Sequence, residues 1–425
     1  MRVFVAPADA RIPPLDAPAR EAWLFESTLG DAMARELAAA GLSVERTGSL
    51  EEGAERAQRE PHGAFVLLDS VACSRRVLQR FMAAARRAPA GAYTCALPRG
   101  VAIDNLGYID GLDPREAPGT TKQGAAGHVW TAPFHFIRGT ASLASATPLV
   151  LAYKESVSKV PFPPVIDGKR EEQFAISESY LCNVSHWVHV LRINLAQIPA
   201  WWLERLRSGA YVGGVAWYAW RALCGFPWAG GRLQDGLRAV SWKAKVHHSA
   251  RVGLSIVRRG ATIGAFANVD SSVICEGANV GDGAQVYGSI IGPGAWVGRN
   301  SVVVGSLVYP GALAAQFLMQ VSLLGREACA FSNSGFYDLN FSRTVRVAHR
   351  GQIVDSGSQF LGVCVGPEAR VAAGVWVASG REIPRGAVLV KPPSEIASRI
   401  GALPAGEPHV VRDGVVVPLA NPRSQ

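Results

Sequence analysis

The stretch IGPGAWVGRNSVVVGSLVYPGA, residues 291–312, contains the pattern that decides the fold of the C-terminal half. An aliphatic residue returns at every sixth position (Ile291, Val297, Val303), usually followed by glycine, with a small residue at the fifth position. A period of six fits neither an amphipathic helix nor an alternating strand, so it indicates stacked coils of short strands. In such coils the aliphatic residue points into a narrow prism, and glycine or asparagine adopts the corner conformations.

The same repeat extends over residues 242–392, apart from an interruption at 316–360. This interruption is too long for a corner loop, and it contains aromatic residues together with charges of both signs. We therefore expect an ordered insertion. Residues 393–425 form a proline-punctuated tail. The C-terminal half is therefore predicted to be an all-β parallel β-helix with an insertion and a short tail.

Residues 1–198 alternate β-branched runs with helical runs, which predicts an α/β domain with a mostly parallel sheet. Residues 199–241 form a Trp-rich amphipathic connector that includes Trp217, Trp220 and Trp228. The main predicted strands are 2–5, 42–46, 64–68 and 91–97, and the main predicted helices are 28–40, 50–59, 74–87 and 177–195.

The formal net charge of +9 is spread along the chain without a dense basic run. This distribution favours anionic small molecules or a membrane surface over a nucleic acid as partner. The 7 cysteines include no CxxC pair, which predicts reduced thiols in the cytoplasm. Tryptophans of the connector would suit the inner surface of a membrane, although a connector packed between domains is the favoured explanation.

The repeats of residues 291–312 resemble the left-handed hexapeptide β-helix of sugar-1-phosphate nucleotidyltransferases and of hexapeptide acyltransferases. The N-terminal half resembles the nucleotidyltransferase domain that precedes such a helix. The resemblance is carried by APADARIPPL (6–15), where Arg11 matches the family's phosphate-binding arginine, and by FVLLDS (65–70), where Asp69 matches its metal-binding aspartate.

The resemblance implies transfer of a nucleotidyl group from an NTP to a sugar phosphate with Mg²⁺, Asp69 holding the metal and Arg11 the phosphates. It also implies a homo-oligomer formed through the β-helix. The glycines and the lysine of the family's phosphate loop are absent here, and a loop without glycine cannot bring its backbone as close to phosphates. Arg11 or Arg20 would have to supply the missing positive charge.

Two other functions remain open. One is an acyltransferase that modifies a sugar or amino sugar from acyl-CoA, with His349 in the insertion as general base. Asp338, Asn340, Arg343 and Asp355 would line its pocket or belong to a solvated loop. The other is a non-catalytic sensor or scaffold, which the missing glycines and lysine favour.

Two histidine groups have simpler interpretations. His186, His189 and Arg192 lie near one face of a predicted helix, and with Asn194 they indicate a helix packed beside the sheet more than a metal site. His247 and His248 are expected at a corner of the first coil.

Overall fold

The computed structural model describes residues 1–8, 11–116, 127–161, 171–207, 239–397, 400–401, 403 and 408–419. Residues 208–238, which hold most of the Trp-rich connector with Trp217, Trp220 and Trp228, lie outside this range. Over the described residues the chain forms an N-terminal α/β domain followed by a left-handed parallel β-helix.

The N-terminal domain is built on one mixed sheet in the order β12-β9-β11-β7-β1-β6, with β10 added beside β11. Strand β1 is parallel to β6 and β7, whereas β11 is antiparallel to both β7 and β9. Strand β12 is parallel to β9 as well, so the predicted mostly parallel sheet is mixed, with parallel pairs on both sides of the antiparallel strand β11. The large strands are β1 (Arg2–Ala6), β6 (Ser43–Arg46), β7 (Ala64–Leu68), β9 (Gly91–Pro98), β10 (Asp113–Glu116), β11 (His128–Arg138) and β12 (Thr147–Val150).

Short strands complete this domain in two-stranded pairs. They are β2 (Arg11–Ile12) with β3 (Ala17–Pro18), β4 (Trp23–Leu24) with β5 (Ser27–Thr28), β8 (Val71–Cys73) with β15 (Leu181–Asn183), and β13 (Glu155–Pro161) with β14 (Glu171–Ser177).

Helices flank the sheet, and three of them begin where the sequence supplies a cap. Thr28, Ser49 and Ser74 accept hydrogen bonds from the backbone N–H groups of Asp31, Glu52 and Val77, which satisfies donors that a helix start leaves unpaired. The helices are α1 (Leu29–Ala39), α2 (Leu50–Gln58), α3 (Arg75–Arg87), α4 (Val101–Gly107) and α5 (Trp187–Arg207).

Helix α5 starts later than the sequence predicts. Within the predicted helix 177–195, Leu181–Asn183 forms β15 instead, because this segment pairs antiparallel with β8 and buries Leu181 and Cys182. From Trp187 the helix continues through Pro199 for 21 residues. Tertiary pairing thus overrides the helical pattern at its N-terminal end.

The β-helix has three faces, each a parallel sheet. We call them the docked sheet, the second sheet and the third sheet. The docked sheet consists of Ala239–Val240, Ile256–Val257, Val273–Ile274, Ile290–Ile291, Leu307–Val308, Leu323–Leu324, Cys364–Val365 and Glu382–Ile383 (β16, β19, β22, β25, β28, β31, β36 and β39). The second sheet consists of Lys245–Val246, Thr262–Ile263, Asn279–Val280, Trp296–Val297, Leu313–Ala314, Cys329–Ala330, Arg370–Val371 and Val388–Leu389 (β17, β20, β23, β26, β29, β32, β37 and β40). The third sheet consists of Arg251–Val252, Asn268–Asp270, Gln285–Tyr287, Val302–Val304, Leu318–Gln320, Gly335–Phe336 and Trp376–Val377 (β18, β21, β24, β27, β30, β33 and β38).

A column of buried serines shortens one corner of the prism. In this serine column each hydroxyl accepts the backbone N–H of the next coil, as Ser272 does from Ser289 and Ser289 from Ser306. From Ser272 onward each hydroxyl also donates to the carbonyl two residues earlier, as Ser289 does to Tyr287. The corner between the third and docked sheets therefore takes five residues from Val269 to Ile274, where the repeat predicts six. The column comprises Ser255, Ser272, Ser289, Ser306 and Ser322.

The insertion is shorter than the interruption seen in the sequence. Strands continue through Gly335–Phe336, because the step from Ala314 to Met319 also takes five residues and hides the repeat. The insertion proper leaves the third sheet after Phe336 and returns at Cys364, where the docked sheet resumes. It contains the antiparallel hairpin β34 (Arg346–His349) and β35 (Gln352–Asp355), and a last hairpin, β41 (His409–Arg412) with β42 (Val415–Pro418), lies in the tail.

The docked sheet is buried on both faces. Its inward residues, such as Val257 and Val308, fill the prism, while its outward residues belong to the core of the N-terminal domain. Trp187, Leu191 and other apolar residues of α5 belong to that same core. The outward column is Ile256, Val273, Ile290, Leu307, Leu323 and Cys364, each fully buried.

Leu307→Ala should lower the free energy of unfolding by about 2–5 kcal/mol, since it removes a fully buried side chain between the domains. Leu313, the outward residue of the second sheet in the same coil, is half-buried. Leu313→Ala should therefore cost less than about 1 kcal/mol. Urea denaturation of both variants measures the difference. Equal losses would contradict a docked sheet buried on both faces.

Candidate functional site

Asp69 follows strand β7 at its carboxyl end, as the sequence predicts. Its Oδ1 accepts the backbone N–H of Ala8 at 2.8 Å, and its Oδ2 accepts Nη1 of Arg20 at 3.1 Å. The carboxylate is mostly buried, with 12% of its side chain exposed. Both of its oxygens therefore have protein donors.

Arg11 does not join Asp69 in this structure. Its Nη1 donates to the backbone carbonyl of Asp16 at 2.6 Å and to the Asp16 carboxylate at 2.8 Å, within the turn that follows β2. The arginine beside Asp69 is Arg20, which occupies the position that the sequence analysis assigns first to Arg11. The sequence predicts that Arg11 binds phosphates beside Asp69, and the structure contradicts this placement. Asp69 pairs with Arg20, and Arg11 stabilises its own turn.

The residues around Asp69 do not fit a resident Mg²⁺ ion in this arrangement. Magnesium needs free carboxylate oxygens, and here Asp69 offers both of its oxygens to N–H groups. Over the described residues no group of three or more His, Cys, Asp or Glu side chains is placed to hold a metal ion.

His349 ends strand β34 of the insertion and reaches the N-terminal domain. Its Nε2 lies 3.2 Å from Oδ2 of Asp110, a residue with positive φ in the loop after α4. Arg350 also donates to that carboxylate oxygen at 3.2 Å. Only 8% of the His349 side chain is exposed. Burial, and secondarily the nearby His186, lowers the pKa of His349, so its imidazole is neutral at pH 7.

His186 and His189 sit beside His349 but have structural partners. The rings of His186 and His349 are 5.5 Å apart, and those of His186 and His189 are 6.3 Å apart. His189 accepts the N–H of Ser185 at Nδ1 and donates from Nε2 to the carbonyl of Tyr108. Nε2 of His186 lies 3.2 Å from Oε1 of Glu382 and 3.0 Å from the carbonyl oxygen of Ala348.

Arg192 and Asn194 likewise attach α5 to its neighbours. Arg192 is half-buried and donates to the carbonyls of Asn105 and Ser356, so it joins α4 to the insertion. Burial lowers its pKa to about 10. Asn194 bonds the backbone of Phe25 and Trp23. This cluster of α5 is the packed helix that the sequence favours, and it places His349 against Asp110.

The remaining candidates of the insertion are engaged locally. Asn340 accepts from Ser342, Asp355 accepts from Thr344, and Arg343 is exposed. Burial raises the pKa of the Asp338 carboxyl. No hydrogen bond found in the described part of the chain joins these four residues to His349.

The two remaining groups of interest lie on the surface of the first coil. The rings of His247 and His248 are 4.3 Å apart, and the Nδ1 of His247 is 2.8 Å from the hydroxyl of Ser249. Trp242 is 87% exposed, with Lys243 over its ring. Of the helices that the structure describes, none is long and apolar enough to span a membrane.

Asp110 and Glu382 are site residues that the sequence interpretation did not identify. Asp110 lies in the loop after α4. It contacts His349, which is 239 positions away in the sequence, and residue spacing gives no signal for a contact over that distance. Glu382 does carry a signal. It stands in the outward column of the docked sheet, where six preceding coils have apolar residues, and it receives Trp187 Nε1 at 2.8 Å.

Comparisons with known proteins give a fold-level likeness and no family. No protein-family profile and no curated protein matches the chain. Among solved structures it is similar to a mutant of the GDP-perosamine N-acetyl transferase from Caulobacter crescentus in complex with CoA and GDP-perosamine, at 20% sequence identity and a TM-score of 0.14. The match covers 36% of this chain and 52% of that one, so this chain spans about half of that protein's length. A likeness of this extent says nothing about activity.

Lowering the pH should destabilise the protein through this histidine cluster. Burial lowers the pKa of His189 from 6.5 to about 3 and also lowers that of His349, so the unfolded chain binds more protons below pH 6.5. The free energy of unfolding should therefore be highest above pH 6.5 and fall as the pH drops from 6.5 towards 3. Asp110 opposes this loss at His349, whereas Arg192 at His189 and Arg350 at His349 add to it.

Urea denaturation at a series of pH values measures this dependence. His189→Gln should flatten the decline, and His248→Gln, a matched change at an exposed histidine, should leave the decline unchanged. A wild-type stability that rises on acidification from neutral pH would contradict the prediction.

Proposed function

We propose that this chain is a transferase of the hexapeptide acyltransferase type, which moves an acyl group from acyl-CoA to an amino or hydroxyl group of a sugar. The observation that carries the proposal is the contact between His349 Nε2 and Asp110 Oδ2 at 3.2 Å. It supports a neutral imidazole with a fixed tautomer, held across the junction of the insertion and the N-terminal domain.

Asp110 fixes the role of each ring nitrogen. When Nε2 carries the proton and donates a hydrogen bond to Asp110, Nδ1 keeps its lone pair. No residue in the described ranges hydrogen-bonds to Nδ1. A buried neutral imidazole with a free nitrogen is suited to general base catalysis. Burial lowers the pKa of His349, which favours the unprotonated form of this nitrogen.

The reaction then proceeds by addition and elimination at the thioester. Nδ1 of His349 takes the proton from the sugar's amine or hydroxyl as that nitrogen or oxygen attacks the thioester carbonyl carbon. The carbon–sulfur bond breaks as the tetrahedral intermediate collapses, the CoA thiolate leaves and takes the proton from the imidazolium, and an amide or ester remains. Asp110 stabilises the positive imidazolium in between.

His349→Ala should reduce the rate of CoA release with a sugar acceptor about 10²–10⁴-fold, because the general base is lost. Asp110→Asn should reduce it less, with the main effect on kcat, since the ring keeps its nitrogen but loses its orientation. Thiol release from acetyl-CoA over a panel of sugars and nucleotide sugars measures both. His248→Ala, at an exposed histidine of the first coil, is the matched control, and equal activity of His349→Ala and wild type would refute the assignment.

Nucleotidyl transfer to a sugar phosphate is a second candidate, favoured by the position of Asp69 at the end of β7 beside the loop after β1. Open α/β sheets bind ligands at the carboxyl ends of their strands. In this candidate Arg20 and Arg11 would face the phosphates. The engagement of Asp69 by Arg20 is the reason that it ranks second.

If nucleotidyl transfer occurs, the chain should release pyrophosphate from an NTP in the presence of a sugar phosphate, and Asp69→Asn should abolish the release. Asp282→Asn, an exposed carboxylate of the β-helix, should have no effect. A pyrophosphate assay with and without magnesium measures this. Absence of both pyrophosphate release and CoA release would favour the non-catalytic sensor or scaffold. Self-association through the β-helix, contact of the connector with a membrane surface and cytoplasmic location stay predictions.

A further inference from the structure

The outer side of helix α3 collects arginines that are separated along the sequence. Five of its 13 residues are arginine, and none of its residues is acidic. Its apolar residues are buried in the core, so the other side of the helix carries the charge. We call this side the arginine face, and it comprises Arg75, Arg76, Arg80, Arg86 and Arg87.

Neighbouring elements add positive charge at both ends of the arginine face. At its start, Arg207 of α5 shares the carboxylate of Glu178 with Arg76. At its end, Arg138 of β11 donates to the backbone carbonyl of Arg86. The positive surface therefore involves three elements and extends along the whole of α3, which is about 20 Å long.

Carboxylates neutralise only part of this charge. Three glutamates pair with the arginine face, all at its first turn: Glu36 and Glu204 with Arg75, and Glu178 with Arg76. Seven arginines against three glutamates leave the extended surface a net charge of +4. This excess lies towards the far end of the helix.

That far end has no carboxylate partner in the described part of the chain. Arg86 and Arg87 are exposed, and their guanidinium groups make no ion pair or hydrogen bond with the described residues. Burial lowers the pKa of the Arg80 guanidinium, and the charge of Arg76 lowers it further, so arginines of this face repel one another. An anionic partner would relieve that repulsion.

The composition of the arginine face decides between kinds of anion. Besides arginines, the exposed residues of α3 are Gln79 and Ala83, so the helix exposes no aromatic ring on which a nucleic-acid base could stack. A helix that reads duplex DNA enters a groove, whereas α3 is flanked by charged residues of α5 and β11. The phosphate groups of a lipid bilayer require neither stacking nor entry into a groove.

The course of the chain favours the same partner. Helix α5 ends at Arg207, and the chain continues from there into the Trp-rich connector, whose tryptophans suit a membrane interface. We propose that the arginine face of α3 docks this protein on an anionic phospholipid membrane. Its guanidinium groups contact lipid phosphates through charge-assisted hydrogen bonds. The proposal does not depend on the chemistry at His349 or Asp69, and the connector is not part of the proposed surface.

Co-sedimentation of the full chain with vesicles tests the proposal. The vesicles contain either phosphatidylcholine alone or an equal mixture of phosphatidylcholine and phosphatidylglycerol. Binding to the anionic vesicles should be at least about tenfold stronger, since each arginine near an anionic surface adds to the attraction. It should fall when the ionic strength rises from about 0.1 M to about 1 M, because screening shortens the range of the charges from about 10 Å to about 3 Å. Equal binding to both kinds of vesicle, or binding to neither, overturns the proposal.

A double variant locates the surface. Arg86→Gln with Arg87→Gln removes two exposed charges that have no partner among the described residues, and it should weaken binding to the anionic vesicles about tenfold. Arg251→Gln with Arg370→Gln removes the same charge from exposed positions of the β-helix and should leave binding unchanged. An equal loss in both double variants, or unchanged binding of the α3 variant, overturns the assignment to this face.

Duplex DNA serves as the competing anion in the same assay. At equal phosphate concentration, added duplex DNA should leave the chain on the anionic vesicles. Release of the chain into the supernatant would identify nucleic acid as the preferred partner and overturn the proposal.

Discussion

The burial of the docked sheet on both faces is the interaction on which the rest of the structure depends. A β-helix needs apolar residues only inside its prism, but here one sheet also carries an aliphatic column on its outside. Helix α5 and residues near Trp23 cover that column, so the two domains share one core. Smaller contacts follow from it, including the bond from the Trp23 N–H to the Tyr309 hydroxyl and the ion pair of Glu26 with Arg258. The interface also sets the distance between the insertion and the loop that holds Asp110.

Much of the β-helix was predictable because its spacing reflects a geometric requirement. The double aliphatic pairs Ile256–Val257, Ile290–Ile291 and Leu307–Val308 were a further, unused signal, because a strand that is apolar at successive positions is buried on both sides. The length of the insertion was not predictable from a strict period of six. Five-residue steps at the serine corner and at Ala314–Met319 break the count while the coils continue.

The candidate sites also contain residues that the sequence indicates and partners that it does not. Asp69 was named because it follows a buried strand and matches the metal-binding aspartate of the resembled family. His349 was named because it lies in the insertion, and hexapeptide acyltransferases use a histidine general base on a loop or coil edge. Arg20 was named only as an alternative to Arg11, and Asp110 was not identified, since each comes from a segment that is distant in sequence and that only the folding of the chain brings close. The Arg20–Asp69 and His349–Asp110 pairs differ in how many polar atoms are left without a partner. Arg20 and the Ala8 N–H together occupy both oxygens of Asp69, whereas Asp110 contacts only one nitrogen of His349.

The serine column has a consequence for how such a protein tolerates change. Ser322 accepts the backbone N–H of Val363, 41 residues later, in the same way that Ser306 accepts that of Ser322. A coil is thus aligned by a side chain of the coil below it, and continuity of the chain at that corner is unnecessary. Foreign loops grafted at the equivalent corner of other coils, between Tyr287 and Ser289 for example, would leave the alignment intact. The column makes this edge a natural point for acquiring new segments during evolution and for attaching them by design.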